Sequence, residues 1–85
     1  MKEILKNEVM KKIVLFFNEN QHSIDTAKGI SVWIGCDSNK VQRSLDKLVK
    51  KGILINHKTV STDAYSYTTE RDIIKKIEKY IKTLA

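Results

Sequence analysis

The sequence predicts a small, mostly helical α+β domain: three helices, then a β-hairpin, then an additional C-terminal helix. Three observations carry that reading. Apolar residues recur at spacings of three and four in four separate stretches, the period of a helix with one buried face. Gly35 and Gly52 each fall just past the last periodic residue of a stretch, where a left-handed residue closes a helix without steric cost. One short run, 53–58, has the β-branched character of a strand, and a polar loop separates it from a second such run.

The first helix is expected over roughly 2–20. Leu5, Val9, Ile13, Phe16 and Phe17 share one face, Ile4, Met10 and Val14 broaden it, and the polar run Asn18 to Gln21 ends it. Ser23-Ile24-Asp25-Thr26 then reads as a short cap, in which Asp25 or Thr26 accepts a backbone N–H of the next helix. That helix covers about 27–34, with Ala27, Ile30 and Ile34 inward. Asp37 or Ser38 caps the third helix, whose buried stripe is Val41, Leu45, Leu48 and Val49. Ile53 to Lys58 and Ala64 to Thr68 pair as a hairpin across a turn of about five residues, Thr59 to Asp63. A last helix over about 70–84 carries Ile73, Ile74, Ile77, Tyr80, Ile81 and Leu84 on one stripe.

The 85 residues suit a single domain, 1–85, and Cys36 is the lone cysteine, so the chain has no internal disulfide to staple a modest core. The longest apolar run, Ile13 to Phe17, is far short of a membrane span, and the opening Met-Lys-Glu leads into an amphipathic pattern and not a secretory signal. The expectation is a cytoplasmic protein with no membrane partner.

The net charge of +6 favours acidic partners, and its placement is more informative than its size. Residues 1–37 are balanced, five lysines against five acids. Residues 38–58 hold Lys40, Arg43, Lys47, Lys50, Lys51 and Lys58 against Asp46 alone, a net +5, which leaves +1 for the remainder. A lysine bias spread over the whole composition would not concentrate the excess in one stretch.

The order of elements, with Ile30, Ile34, Gly35, Asp37, Ser38, Val41, Leu45, Leu48 and Gly52 at their spacings, resembles the winged helix-turn-helix of bacterial and archaeal transcription regulators. The match covers about 24–68: a helix-turn-helix over 26–51 and a wing over 53–68. The resemblance implies a DNA-binding transcriptional regulator, with double-stranded DNA as partner and the third helix, about 38–51, in the major groove. Three features depart from the family pattern. Cys36 stands where a larger apolar residue is usual, Asp46 puts a negative charge on the recognition face, and the wing tip lacks Arg and Gly and carries Asp63.

The face of the third helix opposite its apolar stripe can be read directly at 100° per residue. It holds Asn39, Gln42, Arg43, Asp46, Lys47 and Lys50. Asn, Gln and Arg suit base edges, and Lys40, Lys47, Lys50 and Lys58 suit phosphates. Ser38 and Asn39 lie at the helix N-terminus, where backbone N–H groups attract anions. Asp46 is placed to accept from a cytosine amine or to neutralise Lys50 one turn on.

Other chemistries fare worse. His22, Ser23 and Asp25 are adjacent on a short cap and cannot take up triad geometry, and no glycine-rich phosphate loop is present, so no enzyme and no cofactor are expected. His22, Cys36 and His57 lack metal-ligand spacing. No pocket for a small-molecule effector is evident. The rival reading is an interaction module binding protein or RNA inside a larger assembly, with Trp33 or the wing residues Tyr65 and Tyr67 as contacts. A weaker rival is an architectural protein binding DNA without sequence preference. Trp33 itself either packs on a neighbouring helix or marks a partner surface. The isoleucine stripe of the last helix must be covered by its own chain or by a second copy, and the expectation is a homodimer through Ile73, Ile74, Ile77, Tyr80, Ile81 and Leu84.

Overall fold

A computed structural model describes residues 4 and 6–84, apart from the side chain of residue 84. Among these residues the elements run α1 (Glu8–Glu19), β1 (Ile24–Thr26), α2 (Ala27–Ile34), α3 (Ser38–Lys50), β2 (Leu54–Lys58), β3 (Asp63–Tyr67) and α4 (Arg71–Leu84). Of the apolar positions expected inside, Leu5 lies outside the described residues, as does the side chain of Leu84.

The expected first helix is interrupted at Asn7: residues 4 and 6 are helical, and α1 starts afresh at Glu8. Asn7 is extended, and its side-chain oxygen accepts the backbone N–H groups of Val9 and Met10 at 3.0 and 3.2 Å. Capping two orphan donors outweighs the periodicity that runs through the position. Met10, Ile13, Val14 and Phe17 then form its buried face.

The cap between α1 and α2 is also a strand. Ile24, Asp25 and Thr26 pair antiparallel with Ser66, Tyr65 and Ala64, so the expected two-stranded hairpin is a three-stranded sheet in the order β1-β3-β2. Thr26 performs both tasks, ending β1 and accepting from Gly29 N–H at 3.1 Å to cap α2. At Gly29 a Cβ would overlap the Asp25 carboxylate, so a side chain there requires that carboxylate to move.

Gly35 takes φ +66° and turns the chain between α2 and α3, with Cys36 N–H returning to Ser31 C=O at 3.1 Å. Asp37 caps α3 through a 3.1 Å bond from Lys40 N–H. Val41, Leu45 and Leu48 are fully buried, as the stripe predicted, and Ser44 joins them.

The wing is tighter than expected. Thr59 and Thr62 close the tip through three mutual hydrogen bonds of 2.7 to 3.0 Å, and Asp63 is the first residue of β3, directly opposite Lys58. Along β3, Tyr65 and Tyr67 point inward at the two-residue strand period and are buried. Tyr67 stacks on Phe17 with ring centroids 6.4 Å apart, which fastens sheet to α1.

Helix α4 packs on its own chain. Ile77 is buried in the core, and Ile73, Ile74 and Ile81 pack half-covered against it. Thr68 precedes the helix and accepts Glu70 N–H at 3.1 Å.

Candidate functional site

The basic side chains of the 38–58 stretch are exposed in the structure. Ser38, Asn39, Lys40, Arg43, Lys47 and Lys50 are all exposed on α3, and Lys58 is exposed at the end of β2. A helix capped at Asp37 and buried along Val41, Leu45 and Leu48 has no other way to present these positions.

The surface is not uniform around the helix. Lys40, Arg43 and Lys47 lie on the flank of α3 facing the start of α1. Together with Ser44, Asn7 and Val9 they line a cleft of ≈ 180 Å³. The opposite flank, toward the sheet, is held by a small polar network. Gln42 Nε2 donates to the Tyr65 hydroxyl at 2.8 Å and to Asp46 Oδ1 at 3.1 Å. Both amide hydrogens of Gln42 are therefore engaged within the chain. Asp46 meets Gln42, a partner that the sequence reading did not provide. Three of the four cations of α3 gather on its α1 side, and Lys50 stands one turn beyond the Gln42–Asp46 pair.

The wing contributes less charge. Lys58 faces Asp63 across the β2–β3 ladder, and His57 Nε2 lies 2.7 Å from Ser66 Oγ. Tyr65 and Tyr67, which an interaction module would offer to a partner, are 0 % and 2 % exposed and so serve the core. Trp33 is the opposite case. One side of its ring lies against Phe16, at a centroid distance of 6.0 Å, yet 72 % of the residue is exposed.

Among the described residues, no three His, Cys, Asp or Glu side chains converge as a metal ion would require. None of the described helices is long and apolar enough to cross a membrane. Sequence reasoning missed one residue that shapes the site and gave another a different role. Asn7 was hidden inside an apparently continuous helix, although an Asn followed by an acidic residue is a capping signal. Tyr65 reads in the sequence as a wing strand residue and a contact for a partner, whereas it is a core residue whose bond to Gln42 spans 23 positions.

No protein-family model matches the chain, and no curated protein does. Solved structures do resemble it. A possible transcriptional regulator from Methanosarcina mazei Go1 is 21% identical with a TM-score of 0.73, over 98% of this chain and 81% of that one. The Zalpha domain of Carassius auratus PKZ, solved in complex with Z-DNA, is 23% identical with a TM-score of 0.62, over 72% of this chain and 94% of its own. MepR, a transcription regulator of the Staphylococcus aureus multidrug efflux pump MepA, is 12% identical with a TM-score of 0.63, over 93% of this chain and 65% of its own. At these identities the likeness is one of fold: a helix-turn-helix with a β-wing.

Proposed function

We propose that this chain, a winged helix by its fold, is a DNA-binding transcriptional regulator that presents α3 to the major groove of duplex DNA. The observation that carries this reading is the exposed face of α3. It places a net +3 of the chain's +6 on a helix whose apolar side, Val41, Leu45 and Leu48, is buried in the core. Lys40, Arg43, Lys47 and Lys50 meet phosphates or base edges, Asn39 reads base edges, and Ser38 stands at the helix N-terminus. Gln42 holds α3 to the sheet through Tyr65, and Lys58 adds one cation from the wing. The three structural relatives include a domain solved with Z-DNA and two proteins described as transcription regulators, which supports the same reading. A homodimer completes it, because two copies would set two recognition helices on successive turns of the duplex.

The test is binding of random-sequence duplex DNA by the wild type and by Arg43→Ala/Lys47→Ala at two salt concentrations. Loss of binding in the double variant, with the fold intact by circular dichroism, is the expected result. Full retention would remove α3 as the contact surface, and absence of binding by the wild type would favour a protein-interaction module.

A further inference from the structure

A second surface lies away from the exposed cations of α3. A groove of ≈ 610 Å³ runs between α1, β1 and α2, walled by Leu15, Phe16, Ile24 and Trp33, with Lys12 and Glu19 on the α1 side and Asp25 on the β1 side. Trp33 and Ile24 are 72 % and 62 % exposed, so the groove shows water an aromatic and a branched aliphatic side chain together. Contiguous exposed apolar side chains of this kind, rimmed by charge, mark an interaction surface.

We propose that a second copy of this chain docks in this groove, with α1 antiparallel to α1 of its partner. The order of residues along the helix selects that occupant. Lys12, Leu15, Phe16 and Glu19 follow one another at spacings of three, one and three, which places them on a single stripe. The stripe reads cation, apolar, apolar, anion, and its midpoint falls between Leu15 and Phe16. A two-fold axis through that midpoint sets Lys12 of each copy against Glu19 of the other and stacks the apolar pairs at the centre. Self-complementarity of this kind is what an isologous interface requires. An acidic ligand would be repelled by Glu19 and Asp25, and a basic one by Lys12. Trp33 and Ile24 flank the apolar centre, and Trp is among the side chains that most often anchor an interface. The α4 stripe is a poorer candidate, since Ile77 is sealed inside its own chain and Ile73, Ile74 and Ile81 are already half-covered.

The proposal does not depend on DNA binding. It is tested by sedimentation of the intact chain over a range of concentrations, without nucleic acid. The wild type is expected to dimerise reversibly. Lys12→Glu or Glu19→Lys alone opposes like charges at both ends and weakens the dimer by about tenfold or more. The exchange Lys12→Glu/Glu19→Lys restores it, because each pair is re-formed with its signs reversed. Trp33→Ser weakens the dimer while circular dichroism reports an unchanged fold, since the residue is exposed. A wild type that stays monomeric at every concentration overturns the proposal. So does a double exchange that fails to recover, or a dimer dissociated by Ile74→Lys and indifferent to the groove variants.

Discussion

Gln42 and Tyr65 are joined by a 2.8 Å hydrogen bond that connects the exposed helix α3 to the central strand of the sheet. Tyr65 is fully buried, so its hydroxyl depends on such a partner, and Gln42 is fixed in turn by Asp46. The bond links α3 to the sheet in addition to the core packing of Val41, Leu45 and Leu48. A double-mutant cycle of Gln42→Ala and Tyr65→Phe, followed by urea unfolding, should give a coupling energy of about 1 kcal/mol. A coupling of zero would mean that packing alone holds the helix in place.

DNA affinity should depend steeply on salt. If α3 and Lys58 neutralise about four to six phosphates, the slope of log K against log salt is about −4 to −5 per domain. Arg43→Ala/Lys47→Ala removes two of those contacts and should flatten the slope by roughly 2. Anisotropy titrations over a salt series measure both values, and a wild-type slope near −1 would be incompatible with this surface.

Two glycines should fail for different reasons. Gly35→Ala forces a Cβ into a left-handed conformation with open space around it, which costs about 1–2 kcal/mol from backbone strain alone. Gly29→Ala meets no such strain but drives its Cβ into the Asp25 carboxylate, which accepts Thr26 N–H at 2.8 Å. Asp25→Ala should therefore relieve Gly29→Ala and leave Gly35→Ala unchanged. Melting temperatures of the four variants distinguish the two mechanisms.

Alkaline pH should destabilise the fold through Tyr67. Burial, with a smaller contribution from Glu78, pushes its hydroxyl from the usual 10.0 up to about 12. Between those values the unfolded chain has released the phenolic proton and the folded chain retains it. The unfolded state then binds fewer protons, and stability falls as pH rises from about 10 to about 12. Tyr67→Phe should lose less stability than the wild type over that interval, as read by denaturant midpoints at pH 9 and pH 11.5. Parallel losses would show that Tyr67 titrates normally in the folded chain.

The helix-turn-helix was legible because its signals are local. Gly35, Asp37 and the Val41, Leu45, Leu48 stripe act within one or two turns of chain, and each took the role that its chemistry indicates. The third strand was not legible. Ile24 to Thr26 is only three residues long, and its partners lie about forty positions away in β3. A three-residue segment beginning a helix looks locally like a cap, and Thr26 is indeed one. Only the arrival of β3 beside it makes it a strand.

By itself, the sequence determined which residues form the exposed basic face, because helical period and charge placement are properties of the chain order. The tertiary structure decided how that face is divided. It turned Lys40, Arg43 and Lys47 toward α1 and tied Gln42 to Tyr65 on the other flank. It also buried Ile77 and left Trp33 in water, although both sit on apolar helical faces. The physical reason is that a period fixes only which side chains share a face. What covers that face depends on elements distant in the chain, and their packing is settled only when the whole core closes.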